Sequence, residues 1–290
     1  MKPVIVDWQI TSSCTRDCTF CYGPKSTKEL SFEDISRIID TLKHIGVKVV
    51  GITGGEPLLR DDIVDILKYI KGKEMGICLS TNCDLYSNYR DVIKKYVDAI
   101  GIPVESSDKK IHDSLRGGKN FDNVVFALND ISENCNMKIR IGTVLTNKNY
   151  HTLEELELFL SKFDDNIVYW KIYEYICYSL KSQNDNLIID DYRSLSHHIN
   201  GLGKYINSNK IIIDTLEKRN CSYFLIKPNG DAFIPLLSQI SSTEYILGNL
   251  LEHPDEVIDK WKKNINYINY TQPYRCMFRS DENLKCRYDC

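Results

Sequence analysis

Residues 4–24 read VIVDWQITSSCTRDCTFCYGP, an apolar run followed by three closely spaced cysteines. The β-branched and aromatic residues of the first part predict a strand over 4–11. Cys14, Cys18 and Cys21 follow that strand directly with the spacing C-x3-C-x2-C. In a barrel of alternating strands and helices, the loop after a strand opens at the carboxyl-terminal mouth. We therefore expect three thiols to meet at such a mouth as metal ligands.

The same alternation continues along the chain and predicts the fold class. The apolar stripe after Ser31 begins with a capping box to Asp34 and stops at Gly46, which predicts a helix. Two further helices are expected at 61–71 and 152–163. Strands are expected at 4–11, 47–53, 75–81, 98–104, 138–146 and 167–175. Six strands alternating with helices predict an α/β protein, a partial (β/α)6 TIM-like barrel over 1–180.

The βα alternation fades after residue 180, and we expect a small cysteine-containing extension over 181–290. A helix is predicted near 189–205 and another near 253–264. Between them, CSYFLIKPNGDAFIPLL is typical of a β-hairpin, with Asn229 and Gly230 suited to a type I′ turn. The tail, residues 273–290, has little apolar periodicity, so an additional link is expected to order it.

Charge and composition argue against several classes of protein. The net charge is −3 with interspersed signs, so neither nucleic acid nor an anionic membrane surface is an expected partner. The amino terminus has no apolar signal region, and no run of 18 apolar residues occurs. We expect a cytoplasmic protein. Its eleven cysteines are then reduced thiols that serve as metal ligands, reactive groups or buried small residues.

The cysteine loop provides three ligands, whereas a closed zinc site needs four. An iron–sulfur cluster held by three thiolates keeps one iron open to another ligand. The aromatic Phe20 before the third cysteine, and the sequence Gly54-Gly55-Glu56-Pro57 at the end of the second strand, resemble the radical S-adenosylmethionine (SAM) superfamily. The alternatives are a zinc knuckle completed by a distant ligand, and chance.

The resemblance implies a chemistry and a set of SAM contacts. A 4Fe-4S cluster would bind the amino and carboxylate groups of SAM, and one electron from a donor such as flavodoxin or ferredoxin would yield a 5′-deoxyadenosyl radical. Glu56 or nearby carbonyls would accept from the SAM ammonium, and Arg116 would pair with its carboxylate. The simpler alternatives are that Ser80 and Ser106 only cap strand ends and that Arg116 lies on the solvated surface. The expected SAM contacts are Phe20, Gly54, Gly55, Glu56, Pro57, Ser80, Asn82, Ser106, Arg116 and Thr143.

Candidates for contact with the substrate come from the strand ends. Cys83 stands where members of the family usually have glycine, and it is either a hydrogen-atom donor or acceptor or a packed small hydrophobe. Candidates for substrate contact from the last strands are Arg140, Thr143, Trp170, Lys171, Tyr173 and Tyr175. Lys171 and Tyr173 are the catalytic candidates among them. Sequence does not fix which alternate residues face inward, because a one-residue shift exchanges them. Arg140 and Lys171 are either anion ligands for a phosphorylated substrate or exposed cations at the ends of the barrel strands. Cys78 and Cys135 are most simply structural, and Cys177 is undecided.

The carboxyl-terminal part resembles the SPASM and twitch extensions, which bind auxiliary clusters. The resemblance lies in Cys221, Gly230, residues 248–250 and a helix ending near Trp261, but Pro235 replaces a usual cysteine. Cys221, Cys276, Cys286 and Cys290 provide four thiolates, enough for a second, auxiliary 4Fe-4S cluster. A structural zinc, or a solvated tail with idle cysteines, would use the same residues differently.

Two enzyme classes and one non-enzyme class follow. The resemblance to SPASM and twitch extensions implies a maturase that makes a crosslink, thioether or epimer in a ribosomally synthesised peptide. Because the first strand begins so early, leader recognition is expected to be direct or to need a partner protein. The alternative resembles the viperin-like branch, a dehydratase or cyclase of nucleotides or other small molecules. A metal-binding regulatory module would have no use for the polar strand ends.

Overall fold

The computed structural model describes residues 3–23, 28–135, 137–176, 185–237, 242–268 and 270. All six expected strands are present, parallel, and side by side in chain order. They are β1 Ile5–Gln9, β2 Val49–Thr53, β3 Gly76–Ser80, β4 Ala99–Pro103, β5 Lys138–Leu145 and β6 Ile167–Glu174. The α/β prediction is confirmed.

Helices follow the strands and cover one face of the sheet. In α1, Ser31 accepts a hydrogen bond from the Asp34 N–H, and Gly46 ends the helix at φ 101°, as the sequence predicts. The buried stripe of this helix joins the main core with the apolar residues of β1 and β2. The helices are α1 Phe32–Ile45, α2 Ile63–Gly72, α3 Tyr86–Tyr96, α4 Lys109–Leu115, α5 Phe121–Asn134, α6 Leu153–Leu160, α7 Tyr192–Asn200, α8 Leu216–Arg219 and α9 Pro254–Asn264.

The sheet extends past both edges of the six-stranded unit. A short strand that the sequence analysis missed, β7 (Ile211–Asp214), adds in parallel to β6. At the other edge β8 (Leu225–Ile226) pairs in parallel with β1, and β9 (Asp231–Leu237) and β10 (Ser242–Asn249) continue antiparallel. The described strands therefore form one sheet in the order β10-β9-β8-β1-β2-β3-β4-β5-β6-β7. Strands from both sides of residue 180 take part in it.

The hairpin over 221–237 is present, but its turn differs from the expected type I′. Such a turn needs positive φ at both central residues, and only Gly230 has it, at 87°. The Gly230 N–H donates to the Lys227 carbonyl at 3.0 Å, so Pro228 and Asn229 are the central residues of the turn. Proline's fixed φ suits the first central position of a type I turn, and Gly230 supplies the left-handed residue after it.

Alternation along the last strands shows which side chains face the helices. Trp170 is in the core beneath the helices, and its Nε1 donates to Thr143 Oγ1 at 2.9 Å. Arg140, Lys171 and Tyr173 have the opposite parity and lie on the inner face, which the strands enclose. Thr143 is thus on the wrong face for its expected role as a SAM contact.

In the described residues, no helix is long and apolar enough to cross a membrane.

Candidate active site

The cysteine loop follows β1 as expected, and its thiols have hydrogen-bond partners from neighbouring segments. Asn82 Nδ2 lies 3.7 Å from Cys14 Sγ, and the Gly23 N–H donates to Cys21 Sγ at 3.4 Å. The Cys18 thiol donates to the Arg116 carbonyl at 3.5 Å. N–H groups directed at sulfur stabilise thiolates and tune iron–sulfur clusters. Chemically, this donor set suits an iron–sulfur cluster.

Electrostatics of the loop reflect burial and one nearby cation. Burial raises the pKa of Cys18 to about 11, against the lowering effect of the Arg116 guanidinium. Burial also raises the pKa of Cys14, which lies within electrostatic range of Cys21. Across the described part of the chain, no three His, Cys, Asp or Glu side chains are grouped so that they could hold a metal ion.

An aspartate that sequence reasoning did not select fixes the loop between its cysteines. Asp84 accepts from Thr15 Oγ1 at 2.8 Å and from Arg16 Nη2 at 2.6 Å. It also accepts from Asn120 and Asn123, each at 3.0 Å. The only signal in the sequence is its place just after the third strand. Asp84, which follows β3, therefore links residues 15 and 16 of the cysteine loop to the start of α5.

The two glycines of the Gly-Gly-Glu-Pro turn pack against the cysteine loop. A Cβ atom at position 54 would lie 2.5 Å from the Thr11 carbonyl oxygen, and one at position 55 would lie 2.0 Å from that of Ser13. The Gly55 N–H donates to Thr11 at 2.8 Å, and the Glu56 N–H donates to Ser13 at 2.7 Å. Close approach of two backbone segments therefore requires glycine here.

Glu56 is fully buried and joins the ends of β2 and β3. Its carboxylate accepts from the Leu58 N–H at 3.1 Å, Thr81 Oγ1 at 2.9 Å and the Asn82 N–H at 2.7 Å. Burial raises its pKa to about 7, and the three hydrogen bonds oppose that rise. Pro57 starts the short 3₁₀ turn Pro57–Leu59 that follows. Through these contacts Glu56 stabilises the polar residues Thr81 and Asn82 at the end of β3.

Among the remaining expected SAM contacts, Ser80 and Ser106 lie at the ends of β3 and β4, and Arg116 directly follows α4. Arg116 is 3.4 Å from Glu105 and its guanidinium is 6.0 Å from the Phe20 ring centroid. Its Nε atom is buried and has no hydrogen-bond partner in the described residues. Ser106 is fully buried, with its Oγ 3.0 Å from Thr152 Oγ1. Ser80 is half-buried on the inner face of β3.

Cys83 occupies the position of a packed small hydrophobe. It is 2% exposed, belongs to the main core, and burial raises its pKa. Its φ of 70° is in the left-handed region, which explains why glycine suits this position. Cys78 is also buried, in a small inner cluster with Ile5 and Val49.

Lys171 and Tyr173 lie together on the inner face, beside two residues that the sequence analysis did not connect with them. Lys171 Nζ is 2.8 Å from Asp214 on β7 and 2.7 Å from the Tyr223 hydroxyl, just before β8. It is also 5.1 Å from the Tyr173 ring centroid. The lysine charge is therefore neutralised within the protein and connects the two edges of the six-stranded unit.

The carboxyl-terminal cysteines are only partly described. Cys221 is half-buried at φ 54°, and its N–H donates to Pro235 at 3.0 Å. Its three expected partners, Cys276, Cys286 and Cys290, lie outside the described residues, as does Cys177.

Comparison with known proteins identifies the family. Residues 8–160 match the family model of the radical SAM superfamily. The mycofactocin maturase MftC of Mycolicibacterium smegmatis is 29% identical over 169 residues, which are 56% of this chain and 42% of that protein. The chain thus spans less than half the length of this relative.

Two solved structures share the fold across nearly the whole chain. SuiB of Streptococcus suis, bound to SAM, has a TM-score of 0.66 at 19% identity and covers 94% of this chain and 68% of its own. Native anSMEcpe with bound AdoMet and a Cp18Cys peptide has a TM-score of 0.63 at 14% identity and covers 96% of each chain. At these identities the likeness concerns the fold.

Proposed function

This chain is a member of the radical SAM superfamily, and we propose that it uses Cys14, Cys18 and Cys21 to bind a 4Fe-4S cluster and modifies a peptide. One observation carries the ligand assignment. The three thiols lie on one loop that β2 and β3 hold in place through Glu56, Asn82 and Asp84, at the carboxyl ends of parallel strands. Ligands in α/β sheets bind at these ends.

A cluster held there would supply the electron that cleaves the sulfonium of SAM into methionine and a 5′-deoxyadenosyl radical, and that radical would abstract a hydrogen atom from the substrate. The chain's own residues hold the reactants. Asn82 and the Gly23 N–H lie against thiol sulfurs, and the glycine turn keeps the loop against β2. Arg116, with its buried Nε, is the proposed partner of the SAM carboxylate, and backbone carbonyls of the turn are proposed acceptors for the ammonium.

The peptide assignment is supported by the relatives and by the fold they share. A maturase matches this chain in sequence, and the two structural neighbours have been solved with peptides, SuiB with its precursor peptide SuiA. We propose a ribosomally synthesised peptide as substrate, and a crosslink, thioether or epimer as product. A flavodoxin or ferredoxin is the proposed electron donor.

A second cluster in the carboxyl-terminal region is part of the same proposal. Cys221 is half-buried beside the β8–β9 hairpin, where its N–H is tied to Pro235. With Cys276, Cys286 and Cys290 it completes a four-thiolate set, which is the ligand number of a closed 4Fe-4S cluster.

The test is 5′-deoxyadenosine formation from SAM under dithionite, measured on anaerobically reconstituted protein. Replacing Cys14, Cys18 and Cys21 together with alanine should abolish the product. Cys135→Ala, which removes a half-buried thiol elsewhere, is the matched control and should keep it. Unchanged product in the triple variant would refute the ligand assignment. Turnover with a nucleoside triphosphate, and none with candidate peptides, would refute the peptide assignment and show that the substrate is a nucleotide.

A further inference from the structure

Arg140 stands on the inner face of the sheet, above an apolar floor. Its neighbours on β5, Ile139 and Ile141, are buried under the helices, so alternation turns Arg140 to the other side. There Ile5, Val49, Cys78, Ala99 and Tyr169 form a separate small core. The Arg140 guanidinium lies 5.8 Å from the Tyr169 ring centroid, and Nη1 contacts Cys78 Sγ.

The contacts of this cation are few for its location. Within the described residues, Arg140 has no carboxylate at ion-pair distance, and its buried Nε has no hydrogen-bond partner. A thiol is a weak acceptor for a group that carries five N–H donors. Lys171, one strand away, shows the usual solution, with Asp214 at 2.8 Å. A largely buried charge is costly unless it is paired, and within the described residues Arg140 lacks the carboxylate partner that Lys171 has.

Two glycines lie near the guanidinium on the inner face. Gly101 on β4 is the register partner of Arg140, and a Cβ atom there would lie 2.8 Å from Ser80 Oγ and 3.5 Å from Arg140 Nη2. Gly142, two residues along β5, has only the Tyr173 ring within 4 Å of its Cβ position. Glycine at both positions leaves space for the Ser80 and Tyr173 side chains, which lie on the same face as Arg140.

We propose that Arg140 binds a carboxylate group of the substrate through Nη2 of its guanidinium. This rests on the proposed function and names the recognition feature of the peptide: an acidic side chain or a terminal carboxylate. Within the described residues Nη2 has no hydrogen-bond partner, and its N–H donors can form charge-assisted hydrogen bonds with a carboxylate. Asp7 lies within electrostatic range of Arg140, so a monoanion is favoured over a doubly charged phosphate.

Binding of small probes tests the proposal without requiring SAM cleavage, so its failure and that of the proposed function are separate results. The probes are N-acetylglutamate methylamide for an acidic side chain, N-acetylglycine for a chain terminus, N-acetylglutamine methylamide as the neutral analogue, and inorganic phosphate. The readout is the shift of melting temperature of the reconstituted protein with SAM, as a function of probe concentration.

At least one carboxylate probe should shift the melting temperature, and the neutral analogue should not. Arg140→Gln should raise the half-saturating concentration about tenfold or more, and Arg140→Lys by less, because the charge remains. Lys138→Gln removes the same charge two residues earlier on the same strand and face, and should leave binding unchanged. The stronger carboxylate probe identifies the source of the group. Equal binding by Arg140→Gln, tighter binding of phosphate, or no shift with either carboxylate would overturn the proposal.

Discussion

His112 is a fully buried titratable group whose two ring nitrogens have different partners. The Glu105 N–H donates to Nδ1 at 3.2 Å, so Nε2 carries the proton and faces Asn120 Oδ1 at 3.1 Å. Burial lowers its pKa to about 4, while Asn120 and Asp113 act in the opposite direction and Arg116 adds to the lowering. The neutral ring connects the end of β4 with the start of α5.

This lowered pKa predicts a loss of stability in mild acid. Below pH 6.5, about the pKa of histidine in the unfolded chain, the unfolded state binds a proton at His112 and the folded state does not. The free energy of unfolding therefore falls as pH falls. Between pH 7.5 and 5.5 the contribution of His112 should fall by about 1.4 kcal/mol. The measurement is urea unfolding at both pH values for the native protein and His112→Gln.

The difference between the native protein and His112→Gln isolates the contribution of His112 to the pH dependence of stability. Burial raises the pKa of Glu56 and of Glu105 to about 7, and raised carboxyl pKa values add stability as pH falls, so the native protein alone gives a mixed result. Those groups remain in His112→Gln, and only the histidine contribution disappears. An identical pH dependence in the two proteins would contradict the assignment.

The Lys171–Asp214 pair leads to a prediction about stability. Both side chains are almost fully buried, so Lys171→Met should leave an unpaired carboxylate and lower the unfolding free energy by about 3–5 kcal/mol. Lys171→Met with Asp214→Leu removes both charges and should recover most of that loss. Chemical denaturation measures both, and equal instability of the single and double variants would show that the ion pair is not the cause.

Individual residues were predictable where chemistry is local in sequence. The cysteine triplet and the Gly-Gly-Glu-Pro turn identify themselves by spacing and by their places after strands. Asp84, Asp214 and Tyr223 act through partners that are distant in the chain, so no local pattern marks them. Thr143 failed for a simpler reason, because strand parity decides its face and sequence does not show parity.

Among the elements, the turn after β2 depends most on glycine. Gly54 has φ 150°, and a Cβ atom would lie 2.5 Å from the Thr11 carbonyl. Gly54→Ala should displace the cysteine loop and lower both iron content and 5′-deoxyadenosine formation, while circular dichroism keeps its native shape. Gly72→Ala, at a helix position with nothing within 4 Å, is the matched control and should not lower either. Normal iron content in Gly54→Ala would contradict this account.

The first strand is anchored by a residue near the other end of the described chain. Tyr270 is buried, and its hydroxyl accepts from the Val4 N–H at 3.1 Å and the Ile5 N–H at 2.9 Å and donates to the Ile5 carbonyl. Tyr270→Phe should cost about 1–3 kcal/mol in unfolding free energy, because buried backbone groups lose their partner. Tyr245→Phe, on exposed β10, should change it little, and equal losses would count against a specific anchor.

Strands and helices were predictable where the pattern of apolar residues extends over enough positions to show its period. Six strands and the helices at 31–46, 61–71, 152–163 and 253–264 follow from apolar patterns, as does the hairpin. β7 has four residues, too few for a pattern to identify. The type of turn at Gly230 depended on the proline before Asn229, which favours a type I turn over the expected type I′.

At the scale of the whole molecule, metal content tests the two-cluster proposal. Native reconstituted protein should contain about eight irons, falling to about four in the Cys14/Cys18/Cys21 alanine variant. Cys276→Ala should lower the iron content while the remaining cluster still responds to SAM by electron paramagnetic resonance. About four irons in the native protein, with or without zinc, would mean that the carboxyl-terminal thiols do not hold a second iron–sulfur cluster.

The sheet order sets the sequence of events during synthesis. β1 leaves the ribosome before the other described strands, but one of its two neighbours, β8, is made more than 200 residues later. Until then the outer edge of β1 lacks its native partner, and such edges invite pairing with other chains. A nascent chain of this protein is therefore exposed to aggregation until residues 225–226 emerge, and a truncation that ends before them should be poorly soluble.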